Sequence, residues 1–342
     1  MAINIVRYNQ ELSLLETSIR AALNQSFDDL TVTLTENGSD DCLEGAILAL
    51  FGNHPKFCYR ANDTNLGFAG AHNRFIRDTR CEFVMPLNPD TVMSIDYVDK
   101  LLEAFSDPRV AAAEGKMLKP ERDCSGLWIL DGTGMVISRA RTARERGHLE
   151  IDNEQYDKDT DVFGVSATAA IYRMSALEKV KMGEAEYFDE DFFTYWEDLD
   201  LSWRLRLSGY RCSYVPDAVI LHSRFAAQSK DGFRKPWNFV LHARSLPTQI
   251  LCWDWRNHLF AIIKNDFGWN LYRDLPWIAT RELVLFCVLI LVDPRIIRSL
   301  PTFVSLLPRI LSKRKLIQGQ RIATSREMSV WFRASVPRRD FE

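Results

Sequence analysis

Three carboxylates open one helical stretch. Glu197, Asp198 and Asp200 stand directly behind the aromatic run Phe192-Phe193-Thr194-Tyr195-Trp196 and ahead of Leu201, Leu205 and Tyr210, which fall near helical spacing. A single acid at a helix start only complements the helix dipole. Three of them behind aromatic rings put a carboxylate in a partly desolvated place, where it can take a proton from a hydroxyl. Asp90 ends the sequence Leu87-Asn88-Pro89-Asp90, directly after an apolar run. Mg²⁺ and Mn²⁺ prefer oxygen and commonly bridge one or two carboxylates to phosphates, so Asp90 suits a metal-diphosphate contact; the same residues also suit an Asx-Pro turn. His222 follows the apolar runs 213–215 and 218–221 and is a further candidate ligand, although a lone histidine is as readily structural.

Two loops carry small residues where a backbone would have to approach a ligand. Glu36-Asn37-Gly38-Ser39-Asp40-Asp41 follows the run ending at Leu34-Thr35; its carboxylate can accept hydrogen bonds from a base or ribose, and its glycine permits a tight turn, which is also all that a plain helix cap would need. Asn65-Leu66-Gly67-Phe68-Ala69-Gly70-Ala71-His72-Asn73 lies at a loop-to-helix junction, where free amides favour phosphate or polar sugar groups and where small residues equally allow close helix packing. It is not a G-x-G-x-x-G fingerprint, so a dinucleotide fold is not indicated.

The elements that must position these residues alternate. Short β-branched runs at 3–6, 30–34, 56–60, 83–87 and 110–116 are separated by helical patterns at 12–23, 43–51, 69–79 and 95–105. This rhythm predicts an α/β fold with a mostly parallel central sheet flanked by helices, in which ligands sit beyond the carboxyl ends of the strands. Residues 117–162 read as an irregular or hairpin insertion with a basic cluster, Arg139 to Arg146, and an acidic stretch, Glu150 to Asp161. Such an excursion is either a loop over the site or simply solvated. After Pro236 and Pro247 the pattern is helical to about residue 335. The division is therefore a catalytic unit over 1–235 and a helical region over 236–342.

Composition sets the remaining bounds. With 342 residues, 46% hydrophobic and 26% charged, the chain can bury a full core, and its net charge of −3 does not point to nucleic acid. Seven scattered cysteines without a C-x-x-C spacing read as reduced and structural. The amino terminus lacks the basic-then-apolar pattern of a secretory signal, so a cytoplasmic location is expected. The longest uninterrupted apolar run, Leu283 to Val292, is short for a bilayer span, but its Trp-, Leu- and Arg-rich surroundings suit a membrane surface.

Together, the order and spacing of these motifs resemble the family 2 inverting glycosyltransferases of GT-A fold, especially their rhamnosyltransferase-like branch. Ile5-Val6-Arg7-Tyr8-Asn9 resembles the first strand and its Tyr-Asn turn, with Arg7 where a small Thr is usual. Glu36-Asn37-Gly38-Ser39 resembles the Asp-Asn-Gly-Ser element, and Asn65 to Asn73 the Asn-x-Gly-Phe-Ala-Gly-Gly-Asn-Asn signature with Ala71 and His72 as departures. Asn88-Pro89-Asp90 resembles the branch's form of the Asp-x-Asp motif, and Glu197 to Arg204 its Glu-Asp-x-Asp-Leu-x-Trp-Arg helix.

The resemblance implies Asp198 as general base with Glu197 as second choice, and Asp90 and His222 as ligands of Mg²⁺ or Mn²⁺. It implies donor contacts from Tyr8, Asn9, Glu36, Asn37, Asn65, Gly67, Phe68, Ala69, Asn73 and Asn88. It further implies a nucleotide-diphospho-sugar donor, dTDP-rhamnose favoured and a UDP-sugar open, with a saccharide or polyprenyl-linked acceptor in cell-surface polysaccharide synthesis. Arg256-Asn257, the apolar stretch to Val292 and Lys313-Arg314-Lys315 resemble the branch's tail, which implies contact with the inner face of the cytoplasmic membrane; packing on the catalytic unit or on a second copy of the chain explains the same residues. Two rival functions are a nucleotidyltransferase, for which Tyr8-Asn9-Gln10-Glu11 is not the required Gly-rich basic loop, and a non-catalytic sugar-nucleotide-binding scaffold.

Overall fold

The computed structural model describes residues 1–224 and 243–333. The expected boundary at 235/236 lies outside the described residues. Four parallel strands form one half of a ten-stranded sheet: β1 (Ala2–Arg7), β2 (Thr31–Asn37), β3 (Phe57–Asn62) and β4 (Phe83–Leu87), in the order β4-β1-β2-β3. The helices α1 (Leu12–Leu23), α2 (Glu44–Phe51) and α3 (Gly67–Asp78) connect them. Strand residues alternate between two cores. Ile3, Ile5, Met85 and Leu87 join Leu15 and Ile19 of α1 and Ile47 of α2 on one face, while Ala2 and Val84 join Phe75 and Ile76 of α3 on the other. Burial of both faces is why these strands read as nearly continuous apolar runs.

Past β4 the chain makes a short strand β5 (Thr91–Met93), helix α4 (Tyr97–Glu103) and the long strand β6 (Val110–Arg122). The segment read as an insertion is ordered. β6 runs on through it to Arg122, β7 (Trp128–Gly132) pairs antiparallel with β6, and β8 (Met135–Ile137) and β9 (Ala143–Glu145) form a hairpin. β10 (Asp161–Val162), β11 (Ile171–Arg173), α5 (Met174–Val180), α6 (Glu197–Leu207) and β12 (Arg211–His222) complete the unit. β11 is antiparallel to both β4 and β6, and β12 is parallel to β6, so β4, β6 and β12 all point the same way. The carboxyl end of β12 thereby emerges on the same edge as that of β4, 135 residues earlier in the chain by the numbering of their last residues, Leu87 and His222.

The carboxy-terminal helices are α7 (Thr248–Asn265), α8 (Gly268–Val292), α9 (Leu300–Gln320) and α10 (Ser325–Arg333). They are built into the catalytic unit. Trp203 and Leu207 of α6 share a core with Phe267, Ile317, Met328 and Phe332, and with Met135 and Ile137 of β8. The basic cluster of the 117–162 segment serves this junction. Arg141 is fully buried, donates to Asp266 at 2.8 Å and Asp274 at 3.0 Å, and lies over the ring of Phe332. Arg146 donates to the carbonyl of Thr133 at 2.7 Å.

Two sequence expectations about this region change. Of the basic triplet, Lys313 is buried among carboxylates and Arg314 donates to the carbonyls of Ile263 and Asp266, which leaves Lys315 as the exposed member. The apolar stretch is longer than its uninterrupted run suggested. α8 has 25 residues with an 18-residue window of mean hydropathy 2.0, long and apolar enough by length and composition to cross a membrane, and 22% of that window is buried. The charges that interrupt the run, Asp274 and Glu282, point inward to Arg139, Arg141 and Arg273 and to His258 and Arg281.

Candidate active site

The ends of β1, β2, β4 and β12 on this edge contribute candidate residues. At the end of β1, Arg7 is fully buried and donates to Glu36 at the end of β2 and to both oxygens of Asp41 at 2.6 Å. Ser39 donates to the other oxygen of Glu36. Arg7 and Glu36, separate departures in the sequence, are thus one ion pair, and the carboxylate expected to meet the nucleoside is engaged by the protein's own guanidinium. Tyr8 is exposed, and Asn9 is held in a left-handed conformation (φ 62°) by reciprocal hydrogen bonds with Asp40 and by Ser39.

The Asn65 to Asn73 stretch is braced internally. The Asn37 side chain accepts from Asn62 at 2.9 Å and from the Leu66 amide at 3.1 Å, and donates to Asn65 at 3.0 Å. Gly67 has φ +69°, and a Cβ there would come 2.4 Å from the Phe193 carbonyl oxygen, which accepts from the Phe68 amide at 2.8 Å. Ala69 is buried in the same turn. Asn73 is buried too; it accepts from the Phe188 amide at 2.9 Å and donates to the Phe188 carbonyl at 2.8 Å. His72 lies against the Asn4 amide at 3.1 Å, and burial pushes its pKa down to about 3, so it is neutral. Asn37 and Asn65 thus brace the turn that starts α3, while Asn73 and the Phe68 amide hold the loop 187–196 against it.

That loop delivers α6. Phe193, Tyr195 and Trp196 all have φ between 65° and 75°, a conformation that costs side-chain-bearing residues about 1–3 kcal/mol each and persists only when held. Asn257 of α7 holds it, donating to the carbonyls of Phe192, Thr194 and Tyr195 at 2.9, 2.9 and 3.0 Å. Asp198, in the first turn of α6, accepts from the amides of Leu199 at 2.7 Å and Ala167 at 3.4 Å. Its pKa is raised because burial outweighs those amides. Glu197 is 6% exposed with Oε2 unpartnered, and burial, then repulsion by Asp198, pushes its pKa up to about 8. Glu197 therefore carries a proton at neutral pH and Asp198, the more accessible of the two, is the better base. The Glu197 contribution to stability is present below the ordinary carboxylate pKa and is lost as pH rises to about 8, at up to about 1.4 kcal/mol per pH unit. Glu197→Gln should flatten the fall of thermal stability between pH 5 and 8 seen in calorimetry.

Across from α6 sits a histidine between two carboxylates. His222 pairs in register with Thr91 of β5, which brings it beside Asp90: Nε2 lies 3.4 Å from Asp90 Oδ1. Its Nδ1 is 2.8 Å from Oδ2 of Asp131, a fully buried residue of β7 that also accepts from Arg224 at 2.8 Å. Burial lowers the His222 pKa, but Asp131 and Asp90 outweigh it and raise the pKa. Asp131 fixes the proton on Nδ1 and leaves Nε2 to face Asp90. One imidazole nitrogen backed by a carboxylate, beside one carboxylate oxygen, is a donor set that fits Mn²⁺ or Mg²⁺ with further positions left for water and phosphate. Asp131→Asn should weaken Mn²⁺ binding by about 10–100-fold in a calorimetric titration while Asp90 and His222 remain. Asn88 fixes the turn, donating its amide to the Thr168 carbonyl at 2.8 Å.

Asp131, Glu114 and Glu145 were not among the residues the sequence singled out. Glu114, on β6, accepts from the Ser166 amide at 2.6 Å, and burial raises its pKa well above the usual range. Glu145, on β9, is pushed by burial to about 7. Both interact electrostatically with Asp198. A separate trio, Glu186, Asp189 and Asp191, has metal-like spacing, but the Lys313 ammonium contacts all three.

The sequence model of glycosyl transferase family 2 matches residues 3–181, just over half the chain. The chain belongs to glycosyl transferase family 2. Within the family, it is 26% identical over 226 residues to the N-acetylglucosaminyl-diphospho-decaprenol L-rhamnosyltransferase of Mycobacterium tuberculosis H37Rv, covering 59% of this chain and 69% of that one. It is 25% identical over 213 residues to the poly-beta-1,6-N-acetyl-D-glucosamine synthase of Staphylococcus aureus COL, covering 62% of this chain and 47% of that one, so it spans less than half of that relative. The GT-A fold is shared with the mannosyltransferase PcManGT of Pyrobaculum calidifontis (TM-score 0.54, 16% identity, 93% of this chain and 83% of that one). It is shared as well with GalNAc-T7 (TM-score 0.56, 9% identity, 77% and 47%).

Proposed function

We propose that this family 2 member is an inverting, metal-dependent glycosyltransferase that moves a hexose from a nucleoside-diphosphate donor to a hydroxyl of a glycan or lipid-linked saccharide. The observation that carries the reading is the Asp90–His222 pair, oriented by Asp131, with Asp198 at the start of α6 interacting electrostatically with the Arg224 that binds Asp131. Asp198 takes the proton of the acceptor hydroxyl, whose oxygen attacks the anomeric carbon as the bond to the diphosphate breaks and the nucleoside diphosphate leaves with the electron pair. Asp90 and His222 would hold a divalent ion, which would supply positive charge to the leaving diphosphate. One displacement at the anomeric carbon inverts its configuration.

The first donor to test is dTDP-rhamnose. The relative from M. tuberculosis is named for L-rhamnosyl transfer to a decaprenol-linked sugar, which supports both this donor and a polyprenyl-linked acceptor. UDP-sugars come second. The PcManGT and GalNAc-T7 structures hold GDP-Man with Mn²⁺ and UDP with GalNAc and Mn²⁺, which supports a divalent metal here. The outward apolar face of α8 supports work at a membrane surface, where such an acceptor resides.

The test is a panel of dTDP-, UDP- and GDP-sugars incubated with the protein, with Mn²⁺ or with chelator, and followed for nucleoside diphosphate release. One donor should be consumed only with metal, and NMR of the product should show the inverted anomer. If no donor is consumed under any metal condition, the transferase reading fails.

A further inference from the structure

A cavity lies away from the sheet edge, in the carboxy-terminal helices. It measures about 370 Å³ and is walled by Thr248, Arg256, Arg295, Arg298, Ser299 and Thr302, with no carboxylate among its lining residues. Three arginines therefore line one space. Arg256 is 8% exposed, and its hydrogen bonds go to neutral acceptors, the Asn257 side chain and the Asp191 carbonyl at 2.7 Å. Arg295 is engaged by Asp293 at 2.9 Å, and Arg298 has no ion pair among the described residues. Thr248 opens the 18-residue helix α7, and Ser299 and Thr302 flank the start of the 21-residue helix α9, so two helix amino termini add partial positive charge to the guanidinium groups.

The rim of this cavity is apolar. Ile297, between Arg295 and Arg298, is 48% exposed, and Val304, two residues beyond Thr302, is 61% exposed. These continue the outer face of α8, where Trp269, Tyr272, Trp277, Leu283, Val284 and Leu291 are all exposed and where no residue of the exposed set carries a charge. Aromatic residues toward one end of α8 and aliphatic ones toward the other match a helix lying at a lipid-water boundary. An anion that binds here would carry its apolar part across that face.

We propose that the Arg256–Arg295–Arg298 cavity binds the phosphate of an anionic membrane phospholipid and so fixes α8 and α9 on the bilayer. The proposal rests on the membrane-surface reading of α8 and adds a specific headgroup site to it. α7 links the site to catalysis, since Arg256 and the adjacent Asn257 both bind carbonyls of the loop that precedes Glu197 and Asp198.

Flotation of the full chain with phosphatidylcholine vesicles, with and without phosphatidylglycerol, tests it. The wild type should bind the phosphatidylglycerol vesicles more tightly, and Arg295→Ala with Arg298→Ala should reduce that partitioning about 30-fold, at about 1 kcal/mol per basic residue. Lys315→Ala, exposed on α9 and outside the cavity, should bind like the wild type. Unfolding temperatures of the variants report that they are folded. If Lys315→Ala weakens binding by the roughly 5-fold that any one basic residue contributes to a diffuse attraction, the cavity proposal fails. It fails also if inorganic phosphate stabilises the wild type through these arginines while vesicles do not bind. If the arginine pair has no effect while Leu283→Asp with Leu291→Asp abolishes flotation, α8 sits on the membrane without a headgroup site, and the membrane reading survives alone.

Discussion

Asp198→Asn is expected to lower turnover by about 10²–10⁴-fold while leaving the affinity for donor and metal intact. The amide keeps an oxygen to accept from the Leu199 amide, so α6 keeps its start, but it cannot take the acceptor's proton. Single-turnover kinetics beside a calorimetric donor titration separates the two effects. Glu197→Gln makes the matching control. Glu197 already holds its proton at pH 7, so the substitution should leave turnover there close to wild type. In the wild type, activity should fall as pH drops through the raised pKa of Asp198, on an acid limb displaced above the ordinary carboxylate range. Loss of donor binding in Asp198→Asn, or a turnover loss in Glu197→Gln as large as that in Asp198→Asn, would reassign the base.

Lys264→Met should destabilise the protein by about 3–5 kcal/mol, measured by denaturant unfolding. Lys264 is fully buried between Asp189 and Asp200, and Asp200 also accepts from Arg204 at 3.0 Å and Asn265 at 2.7 Å. Removing the ammonium leaves Asp189 with Lys313 as its remaining cation among the described residues and Asp200 with less than its full complement of donors. The effect should reach the site, because Asp200 lies on α6 two residues from Asp198 and Lys264 lies on the helix that carries Asn257. Replacing Lys313 should cost less, since it is 7% exposed and its outer partners Glu186 and Asp191 can be solvated.

The parts of this arrangement that depend on neighbours in sequence were legible in it. The strand-helix rhythm located β1 to β4 and α1 to α3, since burial of both sheet faces prints itself as apolar runs. Asp198 stood out because three acids followed an aromatic run. The residues that were not legible owe their places to sheet order. Asp131 precedes His222 by 91 residues and meets it only because β7 and β12 flank β6. The one local signal was an Asp-Gly pair ending an apolar stretch, where a Cβ on Gly132 would press on the far ends of the Glu145 and Met117 side chains. The carboxy-terminal half was misjudged for the opposite reason. In α8 the charged residues face the protein while Trp269, Tyr272, Trp277, Leu283 and Leu291 face out, so counting uninterrupted apolar residues stopped at Leu283 and missed the rest of the exposed face. Lys313 looked like surface charge because nothing near it in sequence announces its three carboxylate partners.

The most direct test of the central claim is Mn²⁺ binding in the presence of a nucleoside diphosphate, followed by the loss of the free-ion electron paramagnetic resonance signal. The account predicts one ion per chain in the wild type, binding lost in Asp90→Ala and His222→Ala, and binding kept in Asp198→Asn. Wild-type binding that survives both Asp90→Ala and His222→Ala would contradict it.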